Sequence, residues 1–322
     1  MSLVALLSNP LSTGNKDLLP KVRDYVASHG NIFHVELHDV GEIPAALQMI
    51  ARAKPAVLVI NGGDGTVQAT LTELYYGRPF GDNPPPVAVL PNGKTNLIAN
   101  DLGANGDPFK AMDRILDIAR GDVDRHVVTR PLIALSDGRR NKPVLGMFLG
   151  AAGLLNALMF CRNKIYPLGL PNAVSHVLAT IAVLFGMVIG GQSRLSPFRA
   201  EPMRITVRGA GAIEGRFFVL LVTTLERLLL GVRSSASPGA GALSMTCIEP
   251  RRRSIWRAAI ALLTGRFNEL SAPGVHLRRG DEIRIEGRQP AVLMDGEIFQ
   301  AAPGRPILLT PTAPQSFLSL AM

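Results

Sequence analysis

The residues best suited to chemistry sit in short polar loops that follow apolar runs. Asn61-Gly62-Gly63-Asp64-Gly65-Thr66 comes directly after the apolar run 56–60 and directly before a helical pattern. The glycines let the backbone approach a ligand closely and turn sharply into a helix N-terminus, where amides point at anions. Phosphate is the natural guest. An acidic side chain in such a loop repels bare phosphate, so Asp64 makes chemical sense as a partner of Mg²⁺, directly or through its waters. The same residues also suit an ordinary turn with Asp64 or Thr66 as helix N-cap.

A second loop, Leu90-Pro91-Asn92-Gly93-Lys94-Thr95-Asn96, again ends an apolar strand pattern. It contains Gly-Lys-Thr, but a P-loop needs another glycine five residues before Gly93, where this chain has Ala88. It is therefore not a Walker A loop. A third loop, Asn9-Pro10-Leu11-Ser12-Thr13-Gly14-Asn15-Lys16, follows the first strand pattern. Polar loops at the ends of several strands of one sheet converge on one edge, which is where a nucleotide would lie. Far downstream, Asp295-Gly296-Glu297 places two carboxylates at a turn after an apolar run. Phosphoryl transfer to a hydroxyl needs a carboxylate to take or orient the proton, and a second acid can support it. An Asp-Gly pair also serves as a plain hairpin turn.

The elements that must position these loops alternate at first. Strand patterns over 3–7, 33–37, 56–60 and 87–90 interleave with helical patterns over 16–29, 43–53 and from Val67 onward. This predicts an α/β nucleotide-binding domain with a mostly parallel sheet over residues 1–125. Beyond it, β-type runs at 126–135, 144–150, 203–208, 216–223, 243–248, 282–286 and 291–294 predict an antiparallel β-sandwich over 126–300. That domain carries an apolar helix at 172–189 and a second helix near 254–264. Residues 301–322 form a C-terminal segment expected to pack back on the first domain.

Composition bounds the partners. The chain has 322 residues, 47% hydrophobic but only 5% aromatic, and a mean hydropathy of +0.22. That length supports two cores. The longest apolar stretch, 177–191, is shorter than a membrane-spanning helix needs, and the start has no basic region or cleavage site of a secretory signal. Cys161 and Cys247 are the cysteines, so there is no disulfide framework and no thiolate metal cluster. The net charge of +9 is unevenly shared: residues 1–125 carry 11 Lys/Arg against 14 Asp/Glu, and 126–322 carry 23 against 11. The basic half is nearly all arginine, including Arg251-Arg252-Arg253 and Arg278-Arg279, which suits phosphate-bearing surfaces.

On these residues the chain resembles the diacylglycerol kinase catalytic-domain family, which includes bacterial lipid kinases, sphingosine kinases and ceramide kinases. Residues 61–66 carry its Gly-Gly-Asp-Gly-Thr. Asn9-Pro10 with Ser12 and Lys16 is similar to its opening loop, residues 90–102 to its Leu-Pro-x-Gly-Thr-Gly-Asn stretch, and Asp295-Gly296-Glu297 to its late Asp-Gly-Glu. The resemblance implies ATP and Mg²⁺ in a cleft between the two domains. It implies nucleotide contacts at Asn9, Ser12, Lys16, Gly62, Gly63, Asp64, Gly65, Thr66, Gly93, Lys94, Thr95 and Asn96, with Asp64 toward the metal. Asp295 takes the place of the general base and Glu297 supports it. The implied acceptor is a membrane lipid hydroxyl on diacylglycerol, ceramide or a sphingoid base. The implied setting is cytoplasmic and peripheral to an anionic membrane, with residues 177–189 lining a tail pocket or docking surface and no nucleic acid as partner. Three departures stand out: Thr13 where the opening loop usually has Gly, Lys94-Thr95 in place of Thr-Gly, and Leu228-Leu229-Leu230-Gly231 in place of a glycine run. NAD kinases share Gly-Gly-Asp-Gly-Thr, so a soluble-substrate kinase is one alternative and a non-catalytic membrane-associated module another. Nothing in the residues selects an oligomeric state; a homodimer burying a sandwich edge is one arrangement.

Overall fold

The computed structural model describes residues 2–93, 96–153, 155, 200–227, 239–263 and 272–321. The sequence expectations that fall on Lys94, Thr95, Cys161, the 172–189 helix and Leu228 to Gly231 lie outside them. The chain forms two compact units, Met1–Leu132 with Ala313–Met322, and Ile133–Thr312.

The first unit is built on a six-stranded sheet. Strands β1 (Val4–Ser8) and β3 (Val57–Asn61) are buried at every position, as expected of parallel strands covered on both faces. β2 (Ile32–Glu36) and β4 (Val87–Val89) flank them, giving the parallel order β2-β1-β3-β4. The last strand of the chain, β18 (Gln315–Leu318), adds parallel to β4 and antiparallel to β5 (Val127–Arg130). Helices α1 (Asn15–Ala27), α2 (Ile43–Ala53), α3 (Asp64–Tyr76), α4 (Leu97–Asp101) and α5 (Pro108–Arg120) connect these strands.

The helices form where sequence supplies both a buried stripe and an end signal. α2 buries Ile43, Ala46, Leu47 and Ile50, a single face at helical spacing, and stops where Lys54 turns left-handed at φ 50°. α5 starts where Asp107 accepts from the Phe109 N–H and Pro108 occupies the first turn. The sequence reading assigned no element to that helix.

The connections from β1 to β2 and from β3 to β4 run to opposite sides of the sheet. The crevice at the carboxyl ends of β1 and β3 is thus the topological switch point, where ligands of such sheets bind.

The second unit holds two antiparallel six-stranded sheets. One orders as β10-β9-β14-β17-β6-β7, from β9 (Glu201–Val207), β10 (Gly211–Phe217), β14 (Ile283–Glu286), β17 (Ile307–Pro311), β6 (Ile133–Ser136) and β7 (Val144–Gly146). The other orders as β13-β12-β11-β8-β15-β16, from β13 (Val275–Gly280), β12 (Leu243–Ile248), β11 (Val219–Thr223), β8 (Phe148–Ala151), β15 (Ala291–Met294) and β16 (Glu297–Gln300). Ile205, Ile283 and Leu309 of the first meet Leu149, Val222, Met245 and Val292 of the second in one apolar core. Helix α6 (Arg252–Leu263) packs through Ser254, Ile255, Ala258 and Ala261.

Several boundaries differ from the sequence expectations. The division between units falls at Leu132/Ile133 rather than 125/126, and it returns to the first unit at Ala313 rather than 301. The run 126–135 is two strands, β5 and β6, in different units; Pro131, lacking an N–H, lies between them. The runs 144–150 and 216–223 also each cross from one sheet to the other, at Met147 and Phe218.

Candidate functional site

At the carboxyl ends of β1, β3 and β4 the side chains turn from apolar to amide. Asn15 is fully buried at the first position of α1, and its Nδ2 donates to the carbonyl of Asn9 at 2.7 Å and of Asn61 at 2.9 Å. The side chain thus adds a second donor to two strand-end carbonyls that also accept backbone amides, Asn9 from Ser12 and Asn61 from Asn9. Asn92 Nδ2 donates to Asn61 Oδ1 at 2.8 Å and to Asn15 Oδ1. Asn61 Nδ2 donates to Ser8 Oγ, which also meets His34 Nε2 at 2.9 Å. Burial holds the His34 imidazole below its ordinary pKa. Asn9 uses its Oδ1 to accept from the Leu11 N–H and its Nδ2 to donate to Thr66 Oγ1.

This network locks three loops together. A Cβ on Gly63 would sit 4.0 Å from Ser12 Cβ, and one on Gly93 would lie 3.5 Å from Gly63 Cα and 3.8 Å from the Asp64 nitrogen. Gly14 must be glycine for another reason: a Cβ there would strike the Asn92 amide. Asn96, left-handed at φ 52°, closes its own loop by accepting from the Gly93 N–H at 2.7 Å.

The predicted residues 9, 12, 62, 63, 64, 65, 66, 93 and 96 therefore lie on connected loops of one sheet edge. The helix after β3 begins at Asp64 rather than Val67, so Asp64, Gly65 and Thr66 form the first turn of α3 rather than a free loop. Thr66 is buried, Asp64 is partly exposed, and no side chain caps the helix. Lys16 is exposed on the first turn of α1.

Ser12 carries a signal that the sequence does not show. Its hydroxyl oxygen is buried and has no hydrogen-bond partner among the described residues, although buried polar atoms are nearly always paired. An orphan hydroxyl beside Gly63, near an uncapped helix N-terminus, fits an anionic oxygen such as a phosphate. No group of three or more His, Cys, Asp or Glu comes together among the described residues. Asp64 offers one partly exposed carboxylate at the start of α3, a donor type that suits a hard cation completed by substrate oxygens and water.

Asp295 and Glu297 belong to the second unit. Asp295 at φ 45° and Gly296 at φ 92° are the two turn residues between β15 and β16, with both left-handed as a two-residue hairpin turn requires. The Asp295 side chain is buried and folds back on the crossover between sheets. Oδ2 accepts from the Met147 N–H at 2.8 Å and Oδ1 from the Phe148 N–H at 3.0 Å, while the Asp295 N–H donates to the Phe148 carbonyl. Gly146 permits this approach, since a Cβ there would come within 2.5 Å of Oδ2. Both oxygens thus hold the chain where β7 ends and β8 begins. Glu297 is exposed at the start of β16.

Asn15, Asn61 and Asn92 stand inside the loops singled out by sequence but were given no role there, and Ser8 and His34 were not singled out. Their roles come from contacts between distant loops, such as the 77 residues separating Asn15 from Asn92.

Residues 4–127 match the profile of the diacylglycerol kinase catalytic domain. No curated protein matches the chain. Solved structures do, including two candidate diacylglycerol kinases from Bacillus anthracis strain Sterne. One has 18% identity and a TM-score of 0.66, the other 17% and 0.63; each match covers 99% of this chain and 97% of that one. A third, described as a diacylglycerol kinase of the same strain, has 16% identity and a TM-score of 0.58 over the same shares. At such identities these likenesses show the fold: both units, in order, recur in those structures. The glycine-rich turn into α3 at the switch point lies inside the matched stretch 4–127, over which the first unit of this chain is similar to the diacylglycerol kinase catalytic domain.

Proposed function

We propose that this protein is an ATP-dependent lipid kinase, moving the γ-phosphoryl group of Mg-ATP to a hydroxyl of a membrane lipid of the diacylglycerol, ceramide or sphingoid type. The orphan Ser12 hydroxyl, where three loops meet beside the N-terminus of α3, carries this reading. Asn9, Ser12, Lys16, Gly62, Gly63, Gly65, Thr66, Gly93 and Asn96 are assigned to the nucleotide, together with Lys94 and Thr95. Asp64 is assigned to the metal, whose charge stabilises the phosphoryl group in transfer.

The chain's residues then have distinct tasks. The α3 amides and Ser12 receive phosphate oxygens and fix the nucleotide; the buried amide network keeps the three loops from moving apart. Lys16, exposed on α1, supplies positive charge. The acceptor oxygen forms the new bond to phosphorus, the bond to the ADP oxygen breaks, and Asp295 takes the acceptor proton with Glu297 in support. The apolar, arginine-rich second half favours a lipid acceptor at an anionic surface over a soluble one.

Titration of the Asp64→Ala protein with ATP tests the nucleotide assignment. The expected result is a Mg²⁺-dependent loss of affinity. Unchanged affinity in the presence of Mg²⁺ overturns the role given to Asp64.

A further inference from the structure

We infer that the outer face of α6 docks on an anionic lipid bilayer through Trp256 and Ile260, flanked by Arg253 and Arg257. This rests on the lipid-kinase reading for its setting and adds to it a specific surface.

α6 has two faces with opposite requirements. Ser254, Ile255, Ala258 and Ala261 are buried at helical spacing, and Ser254 Oγ ties the helix to the Pro273 carbonyl at 2.6 Å. The opposite face presents Trp256 at 54% exposure and Ile260 at 56%, one turn apart. Arg253 and Arg257 are exposed alongside them and make no ion pair among the described residues. Trp256 and Ile260 form an exposed apolar pair rimmed by arginines, the composition of an interaction surface.

The charge distribution narrows what that surface meets. The first turn of α6 holds no acidic residue, and the run Arg251-Arg252-Arg253 lies at the helix end whose dipole already disfavours positive charge. Arg251 pairs with Glu249 at 2.7 Å; Arg253, exposed in the first turn, therefore serves something other than the helix itself. A second copy of the same face would set arginine against arginine. Nucleic acid would use the arginines and the indole but gives Ile260 nothing to pack on. An anionic bilayer takes all four: the indole at the headgroup level, the Ile in the acyl boundary and the guanidinium groups on lipid phosphates.

Trp256 is the chain's sole tryptophan, so its fluorescence reports on this face directly. The full-length protein is mixed, without ATP, with neutral phosphatidylcholine vesicles and with vesicles containing about one-third phosphatidylglycerol. The expected result is a blue-shifted emission on the anionic vesicles only, quenched by brominated acyl chains. In co-sedimentation the Arg253→Glu/Arg257→Glu protein should bind about 25-fold more weakly or worse, from roughly fivefold per arginine at the surface. Arg78→Glu/Arg120→Glu, with the same change in net charge on the first unit, should bind nearly as the wild type does.

Unshifted emission, no vesicle binding, or equal loss in both charge variants overturns the assignment. So does a concentration-dependent dimer lost in Trp256→Ala, or a nucleic-acid complex that shifts the emission instead. Phosphate transfer to lipid dispersed in detergent micelles keeps the two readings apart. Micellar transfer without vesicle binding removes the docking face alone, and vesicle binding by α6 without micellar transfer removes the kinase reading alone.

Discussion

Asn15 and Asn92 hold the switch-point loops by bonds that no substitute of similar size can reproduce. Asn15→Ala removes the second donor of the Asn9 and Asn61 carbonyls, which keep the Ser12 and Asn9 amides, and removes the Oδ1 that Asn92 donates to, at about 0.5–1.5 kcal/mol for each hydrogen bond. Urea denaturation should show a stability loss of about 2 kcal/mol or more, with nucleotide binding weakened. A protein of wild-type stability would mean that the network is dispensable. His34 adds a pH dependence. Its pKa is held below 6.5 by burial, so the unfolded chain binds the proton more readily and stability falls as pH drops below about 6.5. Glu36, held below 4.5 by the Arg23 guanidinium, and Glu249, held below 4.5 by His276, lose their contributions only at lower pH. Urea midpoints between pH 7.5 and 5 should therefore fall for the wild type and fall less for His34→Gln; equal slopes would remove His34 as the cause. The glycines, Asp64 and Asp295 were legible in sequence because their types are chemically unusual in apolar surroundings. The asparagines were not, since Asn is an ordinary loop residue until a contact 77 positions away gives it a role.

Asp295 joins the residue scale to that of elements. Its carboxylate accepts two amides where the chain passes from β7 to β8, so Asp295→Asn places a donor group against a donor. Turnover should fall by about 10²–10⁴-fold if the group also takes the acceptor proton, and the melting temperature should fall with it. A folded variant with a near-normal rate would remove Asp295 from the chemistry and leave it as a crossover clamp. Gly146→Ala, which crowds Asp295 Oδ2, should destabilise the second unit by roughly 1–3 kcal/mol as overpacking does; unchanged thermal unfolding would contradict the geometry. The same crossovers explain where sequence reading lost the elements. At Met147 and Phe218 the chain leaves one sheet for the other while both ends stay in the core, so the apolar pattern runs on unbroken and reads as one strand. α2 was legible end to end because its buried stripe and its stop at Lys54 coincide. α5 was passed over although its Asp107-Pro108 start is a sound signal.

At the scale of the whole molecule, the change from alternating strand and helix patterns to successive β-type runs carried the division into an α/β unit and an antiparallel β unit, and the charge asymmetry followed it. The C-terminal segment was expected to pack back on the first domain, but not as a strand of its sheet: residues 313–322 count with the first unit, and Phe317 of β18 pairs with Val87 of β4 and Val128 of β5. A ten-residue tail has too little pattern of its own to name its sheet. Among the described residues no helix is long and apolar enough to cross a membrane. The most direct test is transfer of labelled γ-phosphate from Mg-ATP to a panel of lipids in mixed micelles, with Asp64→Ala and Asp295→Asn proteins alongside. The expected result is label in one class of hydroxyl-bearing lipid with the wild type and in none with either variant. Label in a soluble acceptor instead, or in no acceptor while ATP still binds, would contradict the assignment of a lipid kinase.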